Sequence, residues 1–175
     1  MTQTSVLLWL PELDRWIGQW RQTVPAARRG VAPHISLLFP WVAPEPTPDH
    51  LARLEACLRG AAPFSVSFAH VGRFPGLLWL APEPSVQVRA MMWTIAQAFP
   101  ETPPYSGKHP DPEPHLTVAR GSESELDVIE SGLKALLPEL VKVRHPVDRV
   151  TVAQKGSDGR WRVAYEFPLT GGCKQ

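Results

Sequence analysis

The sequence has 175 residues, of which 43% are hydrophobic, and its formal net charge is +1. This composition is typical of one globular domain, or of two small lobes that share a core, and it excludes a long disordered chain. The near-neutral charge argues against a broad basic face that coats duplex nucleic acid, but it leaves room for a local basic pocket.

The cysteines and the N-terminus indicate the cellular environment. Cys57 and Cys173 are the two cysteines, and their spacing is neither that of a disulfide framework nor that of a metal site, which favours a reducing compartment. The apolar run at residues 6–10 is too short for a signal peptide or a membrane span. We therefore expect a cytoplasmic protein that does not contact a membrane.

The first part of the chain predicts the order strand, helix, strand, helix. A continuous apolar run predicts a buried strand over 5–10, and an apolar stripe of helical spacing predicts a helix over 12–22. After a loop over 23–32 comes a strand that begins near His34 and stops before Pro40. Thr47 then has the pattern of an N-cap for a helix over 48–58, and alternation over 64–68 predicts a half-buried strand.

The second part repeats this order. Residues 77–83 closely copy residues 7–12, and a helix over 85–99 follows. A proline-rich link leads to a strand that contains His115, and Ser122 with Glu125 forms the pattern of a capping box for the last helix. A Gly-Ser-Asp-Gly turn at 156–159 predicts a final hairpin. We expect a single domain over 1–175, with a first repeat at about 5–60, a second at about 76–138 and the hairpin at about 147–169.

Two five-residue stretches share the pattern proline, histidine, apolar, hydroxyl, apolar. They are residues 33–37 and 114–118. Because side chains alternate along a strand, the histidine and the hydroxyl of each stretch point to one face and the apolar residues to the other. One such tripeptide arises often by chance, but two copies inside a larger repeat do not. If the repeats pack about a pseudo-twofold axis, a central cleft gathers four polar side chains, which are His34, Ser36, His115 and Thr117.

Two imidazoles beside two hydroxyls suit acid–base chemistry at phosphorus. Histidine titrates near neutrality, so one ring can remove a proton while the other supplies one. Hydroxyl groups can bind the non-bridging oxygens of a phosphate in the transition state. Serine and threonine are poor zinc ligands, which disfavours a metal site. We therefore expect no cofactor and no metal ion.

The duplicated motif resembles that of the two-histidine (2H) phosphoesterase superfamily, in particular its bacterial branch labelled RNA 2',5'-ligase or RNA 2',3'-cyclic phosphodiesterase. The resemblance covers roughly residues 5–169. It implies a bilobal α+β fold with antiparallel sheets that line a central cleft. It also implies that His34 and His115 are the acid–base pair and that Ser36 and Thr117 hold the phosphate, and it leaves open which histidine is the base.

The resemblance implies metal-independent opening of 2',3'-cyclic phosphates, with RNA 3' ends or small cyclic nucleotides as the partners and no obligate protein partner. Two alternatives remain open at this point. The same residues could carry out RNA 2',5'-ligation, or the chain could be a catalytically silent module that binds RNA ends or nucleotides.

Other residues near the motifs are candidate substrate contacts. Phe39 and Tyr105 could stack on a base, since aromatic faces accept bases without sequence choice. Arg28, Arg29 and Lys108 lie in loops ahead of the histidine strands and could reach substrate phosphates. For each of these residues, packing or solvation is the competing interpretation.

Overall fold

The computed structural model of the protein describes residues 3–109 and 111–171. In these residues it contains eight strands and four α-helices. The helices are α1 (Asp14–Arg21), α2 (Pro48–Leu58), α3 (Ser85–Ala98) and α4 (Glu123–Leu140). The strands are β1 (Thr4–Trp9), β2 (His34–Leu38), β3 (Phe64–Phe74), β4 (Leu77–Glu83), β5 (Leu116–Arg120), β6 (His145–Val147), β7 (Arg149–Lys155) and β8 (Trp161–Pro168).

The eight strands form one antiparallel sheet in the order β6-β3-β4-β5-β2-β1-β7-β8. This order is symmetric about the junction of β5 and β2, which are the strands that carry the two histidine motifs. On either side lies the strand that opens each repeat, β4 or β1, and beyond it two further strands. The α+β class expected from the sequence is confirmed, and the strands of both halves join in a single sheet.

The helices cross over between the two halves of the sheet. Helix α1 of the first half packs against β5 of the second, and α3 of the second half packs against β2 of the first. Each motif strand therefore receives part of its hydrophobic cover from the other repeat, so neither half has a complete core alone. Ile17 of α1 and Ile95 of α3 are fully buried in the common core.

The local start signals of two helices are confirmed. The Thr47 hydroxyl accepts a hydrogen bond from the backbone N–H of His50, and the Ser122 hydroxyl accepts one from the N–H of Glu125. The Glu125 carboxylate in turn accepts from the N–H of Ser122 at 2.8 Å, which completes a capping box. These caps set the first residues of α2 and α4 where the sequence predicts them.

Some elements differ from the sequence-based prediction. A 3-10 turn at Pro11–Leu13 precedes α1, which is therefore shorter than predicted. Strand β3 continues to Phe74, because residues 70–74 pair with β4 although they do not alternate in hydrophobicity. Strand β6 is short and was not predicted. Cys173 lies outside the described residues, and none of the helices in the described part of the chain is long and apolar enough to cross a membrane.

Candidate active site

The register at the centre of the sheet brings the two motifs together on one face. Ile35 of β2 pairs with Leu116 of β5, and both side chains are fully buried on the opposite face. In the register of this pair, His34 corresponds to Thr117, and Ser36 corresponds to His115, which directly precedes β5; all four residues line one cavity. The two histidines are then diagonal neighbours, a position in which residues are about 7–8 Å apart and their Cβ atoms somewhat closer. This spacing leaves room for one small group between the rings.

The two imidazole rings are held in the same way. Nδ1 of His34 donates to the carbonyl oxygen of Ala32 at 2.8 Å, and Nδ1 of His115 donates to that of Glu113 at 2.7 Å. Because a carbonyl can only accept, Nδ1 carries the proton in each neutral ring. Nε2 is then the nitrogen with a free lone pair in both rings, so each ring offers a ligand the same atom.

A buried arginine lies close to His34. Arg21 of α1 is 2% exposed, and its guanidinium donates to the carbonyl oxygens of Thr117 and Val31, both at 2.8 Å. The pKa of His34 is lowered to about 4, mainly by burial and in smaller part by the positive charge of Arg21 and by the nearby His115, against the opposing effect of the hydrogen bond to Ala32. His34 is therefore neutral at physiological pH.

His115 lies in a different environment. Burial lowers its pKa as well, and the charge of Arg120 acts in the same direction, whereas its hydrogen bond to the Glu113 carbonyl and the Glu113 carboxylate raise it. Two aromatic rings pack around this imidazole, with ring centroids at 5.6 Å for Phe74 and 6.0 Å for Trp79. Trp79 also pairs with Thr117 in the register of β4 and β5, so it lies beside the motif.

The four motif residues open into a cavity of about 460 Å³. This volume is in the range of small-molecule binding sites. Among the described residues, the lining contains three cations, Arg29, Arg120 and Lys155, and no aspartate or glutamate. The cavity is therefore suited to anionic ligands, although the whole chain is close to neutral.

The structure also places the other residues that the sequence singled out. Phe39, Tyr105 and Arg29 line the same cavity as the motif residues. Arg28 and Lys108 are exposed and lie outside the described lining, so their contact with a substrate stays a prediction.

The aromatic residues at the cavity mouth are held by the backbone. The N–H of Tyr105 donates to the carbonyl of Phe39 at 2.7 Å, which docks the loop before β5 onto the end of β2. Tyr105 and Ser106 have φ values of 50° and 55°, in the left-handed region that such residues seldom adopt. Strain of this kind concentrates at ligand sites. Burial raises the pKa of the Tyr105 phenol.

Several cavity residues were not found by sequence reasoning. Lys155 and Trp161 come from the C-terminal hairpin, and the Trp161 ring lies 6.2 Å from that of Phe39 between centroids. Arg21 lies outside the cavity lining and was also missed. Its position continues the buried stripe of Leu13 and Ile17 at i+4 spacing, so a charged residue there was a signal that could have marked it. Alternation in β7 could have placed Lys155 on the same face as Ala153. It could not show that β7 lies near the motif strands, because the order of strands in the sheet depends on the tertiary fold. Within residues 3–109 and 111–171, no group of three or more His, Cys, Asp or Glu side chains is arranged to hold a metal ion.

Comparison with known proteins gives a consistent picture. A model of the 2'-5' RNA ligase superfamily matches residues 9–159. Comparison with curated proteins gives no match. The fold is similar to that of Escherichia coli LigT crystallised with 3'-AMP, with 19% identity, a TM-score of 0.62, and 97% of this chain and 98% of that chain covered.

Two further solved structures have a similar fold. TT0787 of Thermus thermophilus is 20% identical, with a TM-score of 0.64 and coverage of 95% of this chain and 97% of that one. Kluyveromyces marxianus Usb1 is 15% identical, with a TM-score of 0.51 and coverage of 96% and 97%. At these sequence identities, the comparison shows that the folds are similar and shows nothing about activity.

Proposed function

The chain belongs to the 2'-5' RNA ligase superfamily, and from this premise we propose that it opens 2',3'-cyclic phosphates of RNA ends or small nucleotides by two-histidine acid–base catalysis without a metal ion. The observation that carries the proposal is the repeated arrangement of His34 and His115. Each ring donates from Nδ1 to the carbonyl two residues before it, and both rings line one cationic cavity.

The environments of the two histidines favour different roles. The pKa of His34 near 4 keeps its Nε2 unprotonated, so His34 is the better general base. His115 lies next to the Glu113 carboxylate, and a bound phosphate anion adds further negative charge that raises its pKa. His115 is therefore the better general acid.

The proposed reaction is an in-line displacement at phosphorus. His34 Nε2 takes a proton from water as the water oxygen bonds to phosphorus. The bond from phosphorus to one ribose oxygen breaks, and His115 Nε2 delivers a proton to that leaving oxygen. The product is a phosphomonoester, and the two histidines finish with their proton states exchanged.

The hydroxyl groups complete the phosphate site in this proposal. Ser36 and Thr117 stand beside the histidines on the same face, where their O–H groups can donate to the non-bridging oxygens. Donors placed in advance where charge develops stabilise a transition state more than the ground state. Arg120 lines the same cavity and adds positive charge.

A nucleotide fits the remaining space. The LigT structures contain 3'-AMP in one case and NADP+ in another. In this chain, Phe39, Tyr105 and Trp161 line the cavity and offer aromatic faces on which a base can stack.

The test is hydrolysis of adenosine 2',3'-cyclic phosphate and of a short RNA with a 2',3'-cyclic end, in EDTA. We expect turnover by the wild type and a loss of roughly 10²–10⁴-fold in His34→Ala and in His115→Ala, because each removes a proton-transfer group. His70→Ala is the matched control, since His70 is exposed and does not line the cavity. Near-wild-type rates in either motif variant would refute the assignment.

A third reaction mixture separates hydrolysis from ligation. It contains the cyclic-ended RNA together with a second RNA that bears a free 5'-hydroxyl. In hydrolysis, the yield of phosphomonoester is unchanged by the second RNA. A joined product that forms at the expense of the phosphomonoester would show that the same residues use a 5'-hydroxyl rather than water.

A further inference from the structure

The cavity has more positive charge than one reacting phosphate requires. We propose that its end near the C-terminal hairpin is a second phosphate subsite formed by Arg29 and Lys155, so that the substrate is a nucleotide that bears another phosphate beyond the cyclic one. The proposal rests on the proposed function and defines its substrate class. An RNA chain supplies such a phosphate on the 5' side of its last nucleoside, and so does a 5'-phosphorylated mononucleotide.

The first argument is the state of the two cations. Among the described residues, no carboxylate lies within 4.0 Å of the Arg29 guanidinium or of the Lys155 ammonium group, whereas Arg73, Arg89 and Arg149 on other surfaces each contact at least two. The cavity lining contains no acidic residue either. The two charges are therefore available to an anion.

The second argument is the position of Lys155 on the sheet. Leu7 pairs with Ser36 on one side and with Thr151 on the other, and Lys155 lies four residues beyond Thr151 on the same face. On a flat sheet, two strand spacings and four residues separate the Cα atoms of Ser36 and Lys155 by about 16 Å. This separation is longer than a lysine side chain, so Lys155 is placed for a neighbouring phosphate rather than the reacting one.

The third argument is that separate segments of the chain converge at this end. Lys155 pairs with Trp161 in the hairpin, and its N–H donates to the carbonyl of Gln3 at 2.8 Å. Gly30, with φ of 91°, packs so closely on the hairpin that a Cβ there would meet the Trp161 carbonyl at 3.2 Å. This contact brings the neighbouring Arg29 to the same end of the cavity.

The aromatic rings lie where the intervening nucleoside would be. Trp161 and Phe39 are 6.2 Å apart between ring centroids, and both line the cavity that also holds the motif residues and Lys155. A base on these rings leaves its ribose toward His34 and its 5' side toward Lys155. The arrangement thus has one place for each part of a nucleotide with two phosphates.

Three substrates test the subsite. They are adenosine 2',3'-cyclic phosphate, the same compound with a 5'-phosphate, and a diadenosine dinucleotide with a 2',3'-cyclic end. We expect kcat/KM of the wild type to be roughly tenfold to a hundredfold higher for a substrate with the extra phosphate, as for a hydrogen bond between charged groups. In Lys155→Gln and Arg29→Gln, we expect the ratio of kcat/KM for a substrate with the extra phosphate to kcat/KM for adenosine 2',3'-cyclic phosphate to fall toward one.

Arg160→Gln is the matched control. It removes an equal charge from the same hairpin at an exposed position outside the cavity lining, so the ratios remain those of the wild type. A preference for the dinucleotide identifies a chain phosphate as the ligand, and a preference for the 5'-phosphate identifies a terminal one. Ratios near one in the wild type, or ratios unaffected by both cavity variants, would overturn the subsite while leaving cyclic phosphodiester opening intact.

Binding decides the same point independently of turnover. Calorimetry at fixed ionic strength compares adenosine 3'-monophosphate with adenosine 3',5'-bisphosphate on the wild type and on Lys155→Gln. We expect the bisphosphate to bind more tightly to the wild type and to lose that advantage in the variant. Absence of turnover on all three substrates contradicts the proposed reaction alone, whereas equal affinities for the two nucleotides contradict the subsite.

Discussion

Gly72→Ala is predicted to damage the site through Trp79. Gly72 of β3 pairs with Trp79 of β4, and the indole ring lies flat over the glycine. A Cβ at position 72 would lie closer than 3.0 Å to three ring carbons of that indole. The same ring packs against the imidazole of His115 at 6.0 Å between centroids. A single methyl group would therefore push a ring that supports a motif histidine.

The size of the effect follows from the packing. The indole cannot stay in place, and overpacking in a well-packed region costs typically about 1–3 kcal/mol in the free energy of unfolding. For a domain of this size, that corresponds to a decrease in Tm of roughly 2–12 °C. Because His115 loses its lateral support, kcat/KM for a cyclic nucleotide falls as well, by more than the loss of folded protein explains.

A double-mutant cycle isolates the contact. In a Trp79→Leu background the clash is absent, so Gly72→Ala should cost much less stability there than in the wild type. Gly18→Ala is the control, because a Cβ at that helical position meets only Asp14 atoms at ordinary distances of 3.6–3.9 Å and removes a flexible residue. The reasoning is refuted if Gly72→Ala has the Tm and kcat/KM of the wild type, or if it costs the same in both backgrounds.

Three further predictions concern the motif strands. The pKa of His34 is near 4 in the folded chain and ordinarily 6.5. As pH decreases, His34 therefore takes up a proton in the unfolded chain before it does so in the folded chain. The free energy of unfolding falls between about pH 6.5 and pH 4, by about 3 kcal/mol at most. Urea unfolding should show that His34→Gln loses less stability over this window than the wild type, and an equal loss would contradict the linkage. Arg21→Met leaves the carbonyls of Thr117 and Val31 without this donor, so we expect the free energy of unfolding to fall by about 1–3 kcal/mol for each carbonyl. Loss of the positive charge should also move the acid limb of the pH–kcat/KM profile to higher pH. The exposed Arg15→Met should change neither quantity, and an unmoved limb in Arg21→Met would contradict the electrostatic effect of Arg21 on His34. Thr117→Val keeps the side-chain shape but removes the donor proposed for the phosphate, so kcat should fall roughly 10²–10³-fold with Tm nearly unchanged, and a rate within a few-fold of the wild type would exclude that role.

Local patterns in the sequence were sufficient for the motif faces and the caps. Alternation alone placed each histidine and its hydroxyl on one face of a strand, and the capping pattern at Ser122 located the start of α4. These features depend on residues a few positions apart, where backbone geometry leaves few choices. The predicted helix over 48–58 begins and ends at the same residues as α2 for the same reason.

The composition of the cavity depends on contacts that local patterns do not contain. Arg21 donates to the carbonyl of Thr117, 96 residues further along the chain. Lys155 reaches the cavity only because β7 pairs with β1 in a particular register, and a shift of one residue would turn its side chain to the other face. Strand pairing of this kind is decided by packing of the whole core, so local patterns could indicate the face on which Arg21 and Lys155 lie but not what each residue contacts.

Duplication by itself would be a poor design for acid–base catalysis. Two repeats related by a perfect twofold axis would give both histidines the same pKa, and a base and an acid with equal pKa values cannot both be mostly in their active forms. The backbone does repeat, since each Nδ1 donates to the carbonyl two residues before it. The surroundings do not repeat: burial lowers the pKa of both rings, and Arg21 acts in the same direction on His34, whereas the Glu113 carboxylate opposes the shift at His115. In the proposed mechanism, the symmetric sheet brings the two rings together, and their unequal surroundings make His34 the base and His115 the acid.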